Sequence, residues 1–298
     1  MPGHRLDAAA FEQLVAATRP SLHRYCARML GSAFEGEDVV QDALLKASQS
    51  LASAGEIERP KAWLFHIAHN ASLDALRRRR RRLEVPFDAD APDVVDAADA
   101  GARVAATANL ASFLALPATQ RSCVALVDVL GYQPAETAGI LGLTLPAVKA
   151  ALHRGRLRLR EVAGPDGDTP ARFSPEQRRR LQDYADRFNA RDFDALRDLL
   201  AEDVRLDLAN RRHLAGKKDV SVYFTRYDSV DDWRFSVGVA ENRLALIVRN
   251  PGDPLGLVTH VVLLDWAGEK IAHIRDFKYA PYVMEDMRIA ALSREADR

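Results

Sequence analysis

Residues 144–160 read TLPAVKAALHRGRLRLR, and the reading of this stretch decides the fold of the half of the chain around it. Taken as a helix, it places Val148, Leu152, Gly155 and Leu159 on one face, at spacings of four, three and four. Lys149, His153, Arg156 and Arg160 fall on the neighbouring face at the same spacings. The apolar face needs something to pack against. The cationic face turns charge and hydrogen-bond donors outward, and Ala147, Ala150 and Ala151 are small enough to permit a close approach. A helix of this build can enter a DNA major groove. An ordinary solvated basic face has the same spacing, so spacing alone does not choose between them. Thr144 is the expected N-cap. Just upstream, residues 133–141 read as a short helix stopped by Gly142, which gives the pair helix-turn-helix grammar.

Further upstream, residues 104–116 and 117–130 read as two more helices. Before them lies a segment with Pro86, Asp88, Asp90, Pro92, Asp93, Asp96 and Asp99, too polar and acidic to pack. Residues 11–83 are helical throughout, with no strand signal. Leu14, Leu22, Tyr25, Cys26, Met29 and Leu30 keep helical spacing until Gly31 stops them. Residues 37–51 form an amphipathic helix with Val40, Leu44 and Ala47 inward. Pro60 opens a long helix over residues 61–82, with Leu64, Ile67, Ala68, Ala71 and Leu76 inward. That helix ends in the six consecutive arginines from Arg77 to Arg82.

Downstream, residues 164–170 are rich in Gly, Pro and Asp, and after them the grammar changes. Residues 175–200 read as helix. Strand-like runs follow at 204–208, 233–239, 243–248, 257–266 and 270–277. The last alternates Ile271, His273, Arg275 and Phe277 against Ala272, Ile274 and Asp276. Helices followed by a strand meander imply an α+β domain.

The 298 residues suffice for two or three domains. The 42 basic and 42 acidic residues cancel, but locally they separate into two basic helical segments flanking an acidic one. Cys26 and Cys123 lie far apart within helical patterns and read as two buried thiols in a reducing cytosol. No CxxC or Cys/His cluster suggests a metal. No apolar run has the length of a membrane span, and the N-terminus lacks a signal-peptide stretch. The expectation is a cytoplasmic protein with no membrane partner.

Leu116-Pro117, then Arg121, then residues 131–143 and Val148-Lys149-Ala150-Ala151-Leu152-His153-Arg154-Gly155-Arg156 resemble the fourth conserved region of extracytoplasmic-function (ECF) sigma factors of the sigma-70 family. Three departures stand out. Glu136-Thr137-Ala138 replaces Glu-Ile-Ala, Ala151 replaces the usual Arg, and Pro146 sits early in the recognition helix. Loss of that Arg bears on base preference at the upstream promoter element. The resemblance implies upstream-element contacts by Lys149, Ala150, His153, Arg154 and Arg156.

Residues 37–47 resemble the same family's acidic helix, which grips the clamp helices of the polymerase largest subunit. This implies polymerase binding by Asp38, Gln41 and Asp42, although a solvated amphipathic helix has the same pattern. Residues 59–78 resemble the family's Trp-Leu-Tyr-Arg-Ile-Ala-Arg-Asn helix, which with its preceding loop opens the downstream element and holds a flipped non-template base. The implied contacts are Trp63, His66, His69 and Asn70 for the single strand, and Arg77 and Arg78 for phosphates. Trp63 alone is more often core than a stacking platform. The loop 53–59 is the candidate base pocket.

Phe188-Asn189-Ala190-Arg191-Asp192-Phe193-Asp194-Ala195-Leu196, followed by residues 199–204, resembles the start of a SnoaL-like domain of the nuclear-transport-factor-like superfamily. Residues 212–224 resemble its Gly-Arg-Glu-Ala-Val turn into a helix. The resemblance implies helices over a curved sheet with a cone-shaped cavity, which admits a small-molecule ligand. His213, His260, Asp265, His273 and Asp276 are the pocket candidates, with structural roles preferred to catalysis. Some sigma factors carry such a domain, which biases the DNA-binding domains in place of a separate anti-sigma protein. The glycine-rich signature of some of those members is absent, and Asn210-Arg211-Arg212-His213 stands near its position instead. The segment 279–298, with Tyr279, Tyr282, Val283, Met284 and Met287, reads as a closing helix in preference to a docking segment.

The expectation is multidomain. Two all-α domains, a region 2 bundle at 8–84 and a region 4 helix-turn-helix at 103–163, are joined by an acidic linker at 85–102. A linker at 164–172 leads to an α+β SnoaL-like regulatory domain at 173–298. The implied function is transcription initiation with bacterial RNA polymerase core and promoter DNA as partners, and no catalytic residue, cofactor or metal. A ligand-sensing helix-turn-helix regulator is an alternative, but it leaves residues 11–82 unexplained. A SnoaL-like enzyme fused to a DNA-binding module needs a matched acid and base in the cone.

Overall fold

A computed structural model describes residues 6–51, 53, 55–83, 105, 108–162 and 173–292. Both expected linkers lie outside the described residues. The chain divides into two compact units, Met1–Gly167 and Asp168–Arg298.

The first unit is helical among its described residues. Helix α1 spans Ala8–Leu30. Asp7 caps it by accepting from the Ala10 N–H at 2.8 Å, and Gly31 ends it at φ 72°, where a side chain is strained. A Cβ at Gly31 would also strike the Leu114 side chain at 2.5 Å. Helix α2 spans Ala33–Leu51. It crosses α1 so closely at Gly36 that a Cβ there would lie 2.6 Å from Ala27 backbone. Helix α3 spans Pro60–Leu83, opening at the proline as expected. Leu22, Tyr25, Met29, Val40, Leu64 and Phe65 form their common core.

The region 4 segment departs from the expected helices. Residues 110–115 form a 3-10 turn, capped by Asn109. The expected helix over 117–130 is α4, Ala118–Val124, continuing into a π-helical turn at Ala125–Val129. Helices α5, Pro134–Leu141, and α6, Leu145–Val162, follow. Gly142 joins them at φ 65°, and Thr144 Oγ1 accepts from the Ala147 N–H at 3.3 Å. Phe113, Leu116, Val124, Val148, Leu152 and Leu159 form a second cluster under α6. The two helical regions do not sit apart as modules. Ala125, Leu126 and Ile140 are buried in the same core as Leu64 and Phe65.

In the second unit, helix α7 spans Pro175–Asn189, with a Ser174–Gln177 capping box. The helix expected to run to residue 200 breaks at Arg191, which has φ 60°, and Asp192 caps the short α8, Phe193–Asp198. Strand β1 begins at Leu200 and runs to Leu208, followed by β2, Arg212–Ala215, and α9, Lys217–Asp228. Strands β3 (Arg234–Ala240), β4 (Arg243–Arg249), β5 (Val258–Ala267) and β6 (Lys270–Asp276) form the meander. Among these strands the sheet order is β2-β1-β6-β5-β4-β3, with β1 parallel to β6. The closing segment is not the expected helix. A 3-10 turn at Pro281–Met284 leads to strand β7, Ile289–Ala291, which pairs with β3. The aromatic residues under the helices fill the space against the sheet. Phe188 stacks on Phe235 at 4.1 Å and meets Tyr227 and Trp233 edge-on at 5.1 Å each.

Candidate nucleic-acid interface

On α6 the face expected to pack inward does so. Val148, Leu152 and Leu159 are buried, and Gly155 presses on α4, where a Cβ would lie 2.7 Å from Val124 Cγ2. Lys149 is exposed, while Ala150, His153 and Arg154 are half-buried. Arg156 is engaged inside the protein. Its Nε and Nη2 donate to the two Asp128 carboxylate oxygens at 3.0 and 2.6 Å. Asp128 sits in the π-helical turn with its side chain 1% exposed. Sequence reading gave no signal for this pair.

On α2, Asp38 and Asp42 are exposed one turn apart with Gln41 beside them. Gln41 Nε2 donates to Glu37 Oε1 at 3.3 Å, and Glu37 itself is buried against Arg19 at 2.5 Å. Glu37 therefore supports the helix from within. Asp42 lies 3.6 Å from Arg78.

On α3 the proposed promoter side chains divide. Arg77 and Arg78 are exposed, with Arg77 3.2 Å from Asp74. Trp63 packs partly on the region 2 core and otherwise lines a cleft of about 750 Å³ with Ile57, Arg59, His66, Tyr132 and Ile140. The cleft joins the loop proposed as the base pocket to α5. His66 Nδ1 donates to the Ile140 carbonyl at 2.8 Å, which leaves Nε2 to accept from Asn70 Nδ2 at 3.1 Å. His69 Nδ1 lies 2.8 Å from Tyr25 Oη and 3.4 Å from Ser122 Oγ. Burial, and then the neighbouring His66, push the His69 pKa down to about 4. His69 is therefore a neutral ring at neutral pH.

The C-terminal pocket candidates fall into two clusters. Asp276 Oδ2 accepts from Tyr223 and Tyr227 hydroxyls at 2.9 and 2.8 Å, and His260 Nε2 lies 3.1 Å from Tyr227 Oη. Asp276 is 1% and His260 3% exposed. His213 and His273 instead flank Asp207 at 2.6 and 2.7 Å, and Asp265 stands 3.6 Å from the other side of His273. Tyr223, Tyr227 and Asp207 were not legible as partners. Among the described residues no group of three or more His, Cys, Asp or Glu is placed to hold a metal. Nor is any single helix among them long and apolar enough to cross a membrane.

The Sigma-70 region 2 model matches residues 14–82, and the Sigma-70 region 4 model matches residues 111–159. The ECF RNA polymerase sigma factor SigM of Mycobacterium tuberculosis is 35% identical over 159 residues, covering 53% of this chain and 79% of that protein. The solved sigma factor RpoE of Bartonella quintana, in complex with the anti-sigma factor NepR, is 26% identical, with 52% of this chain and 98% of that chain covered at a TM-score of 0.40. The crystal structure of the Mycobacterium tuberculosis extracytoplasmic function sigma factor SigJ covers 91% of this chain and 95% of its own, at 20% identity and a TM-score of 0.35. By its likeness to SigM across most of that relative's length, and by matches to both sigma regions in order, the chain belongs to the ECF RNA polymerase sigma factors.

Proposed function

We propose that this sigma factor joins bacterial RNA polymerase core through the exposed edge of α2, with Asp38, Gln41 and Asp42 meeting basic and polar groups of the polymerase. The downstream promoter element is handled by α3. Trp63, His66, His69 and Asn70 supply aromatic and hydrogen-bonding surface to an unpaired strand, and Arg77 and Arg78 supply phosphate contacts. The upstream element is met by α6 through Lys149, Ala150, His153 and Arg154, while Arg156 holds α6 to Asp128. The observation that carries this reading is the order of the two regions along the chain. Each falls on a helix whose cationic residues lie outside its packed face. The activity belongs in the cytoplasm, where template and polymerase are.

The C-terminal unit modulates the helical one. Asp276 and His260 are too deeply buried to meet a substrate without rearrangement, and we assign them to holding the fold. A small-molecule ligand in this unit remains a proposal of the same reading. The test is transcription by bacterial core polymerase on a library of promoter fragments. Core-dependent initiation at a shared sequence motif supports the assignment. Failure of both the full chain and a residues 11–162 fragment to bind core would remove it and favour the ligand-sensing regulator. Activity of the fragment alone would make the C-terminal unit an inhibitor in cis.

A further inference from the structure

One face of the C-terminal sheet carries a row of ionisable side chains that crosses five strands. His213 on β2 lies 2.6 Å from Asp207 on β1, and His273 on β6 lies 2.7 Å from the same carboxylate. Asp265 on β5 stands 3.6 Å from the other side of His273, and Arg243 on β4 stands 3.4 Å from Asp265. The row runs across the strands, so at the usual strand spacing it is about 19 Å long. Arg205 and Arg275 flank it on the same face, since the β1–β6 register pairs Arg205 with His273 and Asp207 with Arg275. The opposite face sends Leu206, Leu246, Val262 and Ile274 into the core beneath the helices. The row therefore faces away from α7 and α9.

Along the row and its flanks, five basic side chains stand against two carboxylates. Both carboxylates are bracketed, Asp207 by the two imidazoles and Asp265 by His273 and Arg243. His273, whose pKa is raised to about 9 first by the bond to Asp207, is a cation at neutral pH. Arg205 and His213 are exposed, and exposed Arg211 and Arg212 extend the basic edge through the turn between β1 and β2. This surplus is local, in a chain whose 42 basic and 42 acidic residues cancel. Exposed ion pairs add at most about 1 kcal/mol each to stability, so folding gains little from such a row. A polyanion gains more. Duplex DNA carries one charge per about 1.7 Å of its axis. At about 34 Å per turn, the row matches roughly half a turn of duplex.

We propose that this face of the C-terminal sheet holds the phosphate backbone of promoter duplex lying upstream of the element met by α6. The proposal rests on the reading of α6 given above. Residues 163–172 join α6 to this unit, so DNA held by α6 is presented to the sheet at an effective concentration set by a ten-residue tether. Such contacts carry no base preference, and they add affinity through counterion release. They give the C-terminal unit a direct part in holding the promoter.

The test titrates the full chain by fluorescence anisotropy on two duplexes over a range of salt. One duplex ends at the upstream element, and the other continues for about 20 base pairs, two further turns, of unrelated sequence. In the wild type the longer duplex is expected to steepen the slope of log K against log salt by about 1.8, for two phosphate contacts at about 0.9 each. Arg205→Gln combined with Arg275→Gln should remove that increment. Ala215→Glu should reduce it, by setting a carboxylate opposite Arg205 at an exposed position while the row stays intact. Arg226→Gln, an exposed change on α9, should keep it. An unchanged denaturation midpoint of the C-terminal transition in Ala215→Glu separates lost charge from lost fold. Equal slopes on the two duplexes in the wild type overturn the proposal, as does an increment that survives both the double variant and Ala215→Glu. A double variant that keeps the increment but loses core polymerase binding also overturns it, and gives the face to an acidic protein partner. Lys149→Ala is read on the short duplex alone. Unchanged binding there removes the reading of α6, whereas the increment between duplexes reports on the sheet.

Discussion

Arg156 and Asp128 form a two-pronged ion pair, with bonds of 3.0 and 2.6 Å, between the recognition helix and a π-helical turn. The extra residue in a π turn shifts the direction of the side chains after it. Here it sets a nearly fully buried carboxylate under α6. Arg156 therefore fixes where α6 sits, while Lys149 and His153 lie further along the outward face. Removing one partner of a buried pair leaves an uncompensated charge, so Asp128→Ala is expected to cost about 3 kcal/mol of stability in the helical unit. Urea denaturation measures this, and a double-mutant cycle with Arg156→Met should return most of the loss as coupling.

The same geometry separates two kinds of arginine and lysine by salt dependence. Each phosphate contact contributes about 0.9 to the slope of log K against log salt. Lys149→Ala is expected to lower the slope for upstream-element DNA by about that amount. Arg156→Met should weaken binding through helix placement and leave the slope nearly unchanged. Fluorescence anisotropy titrations over a range of salt distinguish the two, and equal slopes for both variants would contradict the assignment.

Much of this helical unit was legible because its signals are local. Gly31 and Gly142 stop helices through positive φ, Thr144 caps α6, and the Val148–Leu152–Gly155–Leu159 face follows from helical spacing alone. The packing of the region 4 residues on the region 2 helices was not legible. Leu126 and Ile140 read equally well as region 4 core, and no local pattern says that they bury against α3. Arg121 stood in a family motif, but its hydrogen bond to Met29 spans 92 residues of sequence. In the C-terminal unit, His260 and Asp265 stand five residues apart on β5, so alternation puts them on opposite sheet faces, and their partners differ: Tyr227 for the first and His273 for the second. Alternation did not reveal that Tyr223 and Tyr227 from α9 would close over Asp276. The short β2 and β7 escaped because each gains its stability by pairing with a neighbour, through β1 and β3 respectively.

His273 gives the C-terminal unit a dependence on pH. The hydrogen bond to Asp207, and then the Asp265 carboxylate 3.6 Å away, raise its pKa to about 9, against the opposing effect of burial. The folded protein thus holds a proton that the unfolded chain releases near pH 6.5. This contribution to stability is complete below pH 6.5 and fades as pH rises through about 9. Denaturation midpoints of the C-terminal transition should fall across that window. His273→Gln should flatten the profile there, and an unchanged slope in that variant would assign the fall to other groups.

The Asp276 cluster leads to the sharpest test of how the C-terminal unit is held. Two tyrosine hydroxyls share Oδ2, and the Lys278 backbone N–H donates to Oδ1 at 2.8 Å. Burial first, and then the Asp276 charge, push both tyrosine pKa values well above their usual range. Both phenols therefore stay protonated and continue to donate. Asp276→Asn keeps the shape but turns one acceptor into an N–H donor. Facing the Lys278 N–H, that donor meets a donor; facing the two hydroxyls, it turns phenols that donated to a carboxylate into acceptors and leaves at least one hydroxyl proton to find another partner. The expected cost is about 1–3 kcal/mol, the penalty for leaving buried polar groups unpaired. Tyr227→Phe, which removes one donor and leaves Tyr223 in place, should cost less. Tyrosinate absorbance read on raising the pH gives an independent view. In the wild type these two phenols should ionise only as the unit unfolds, whereas in Asp276→Asn the onset should move to lower pH. An Asn variant as stable as wild type, with unchanged phenol titration, would mean that Asp276 does not anchor the sheet to α9.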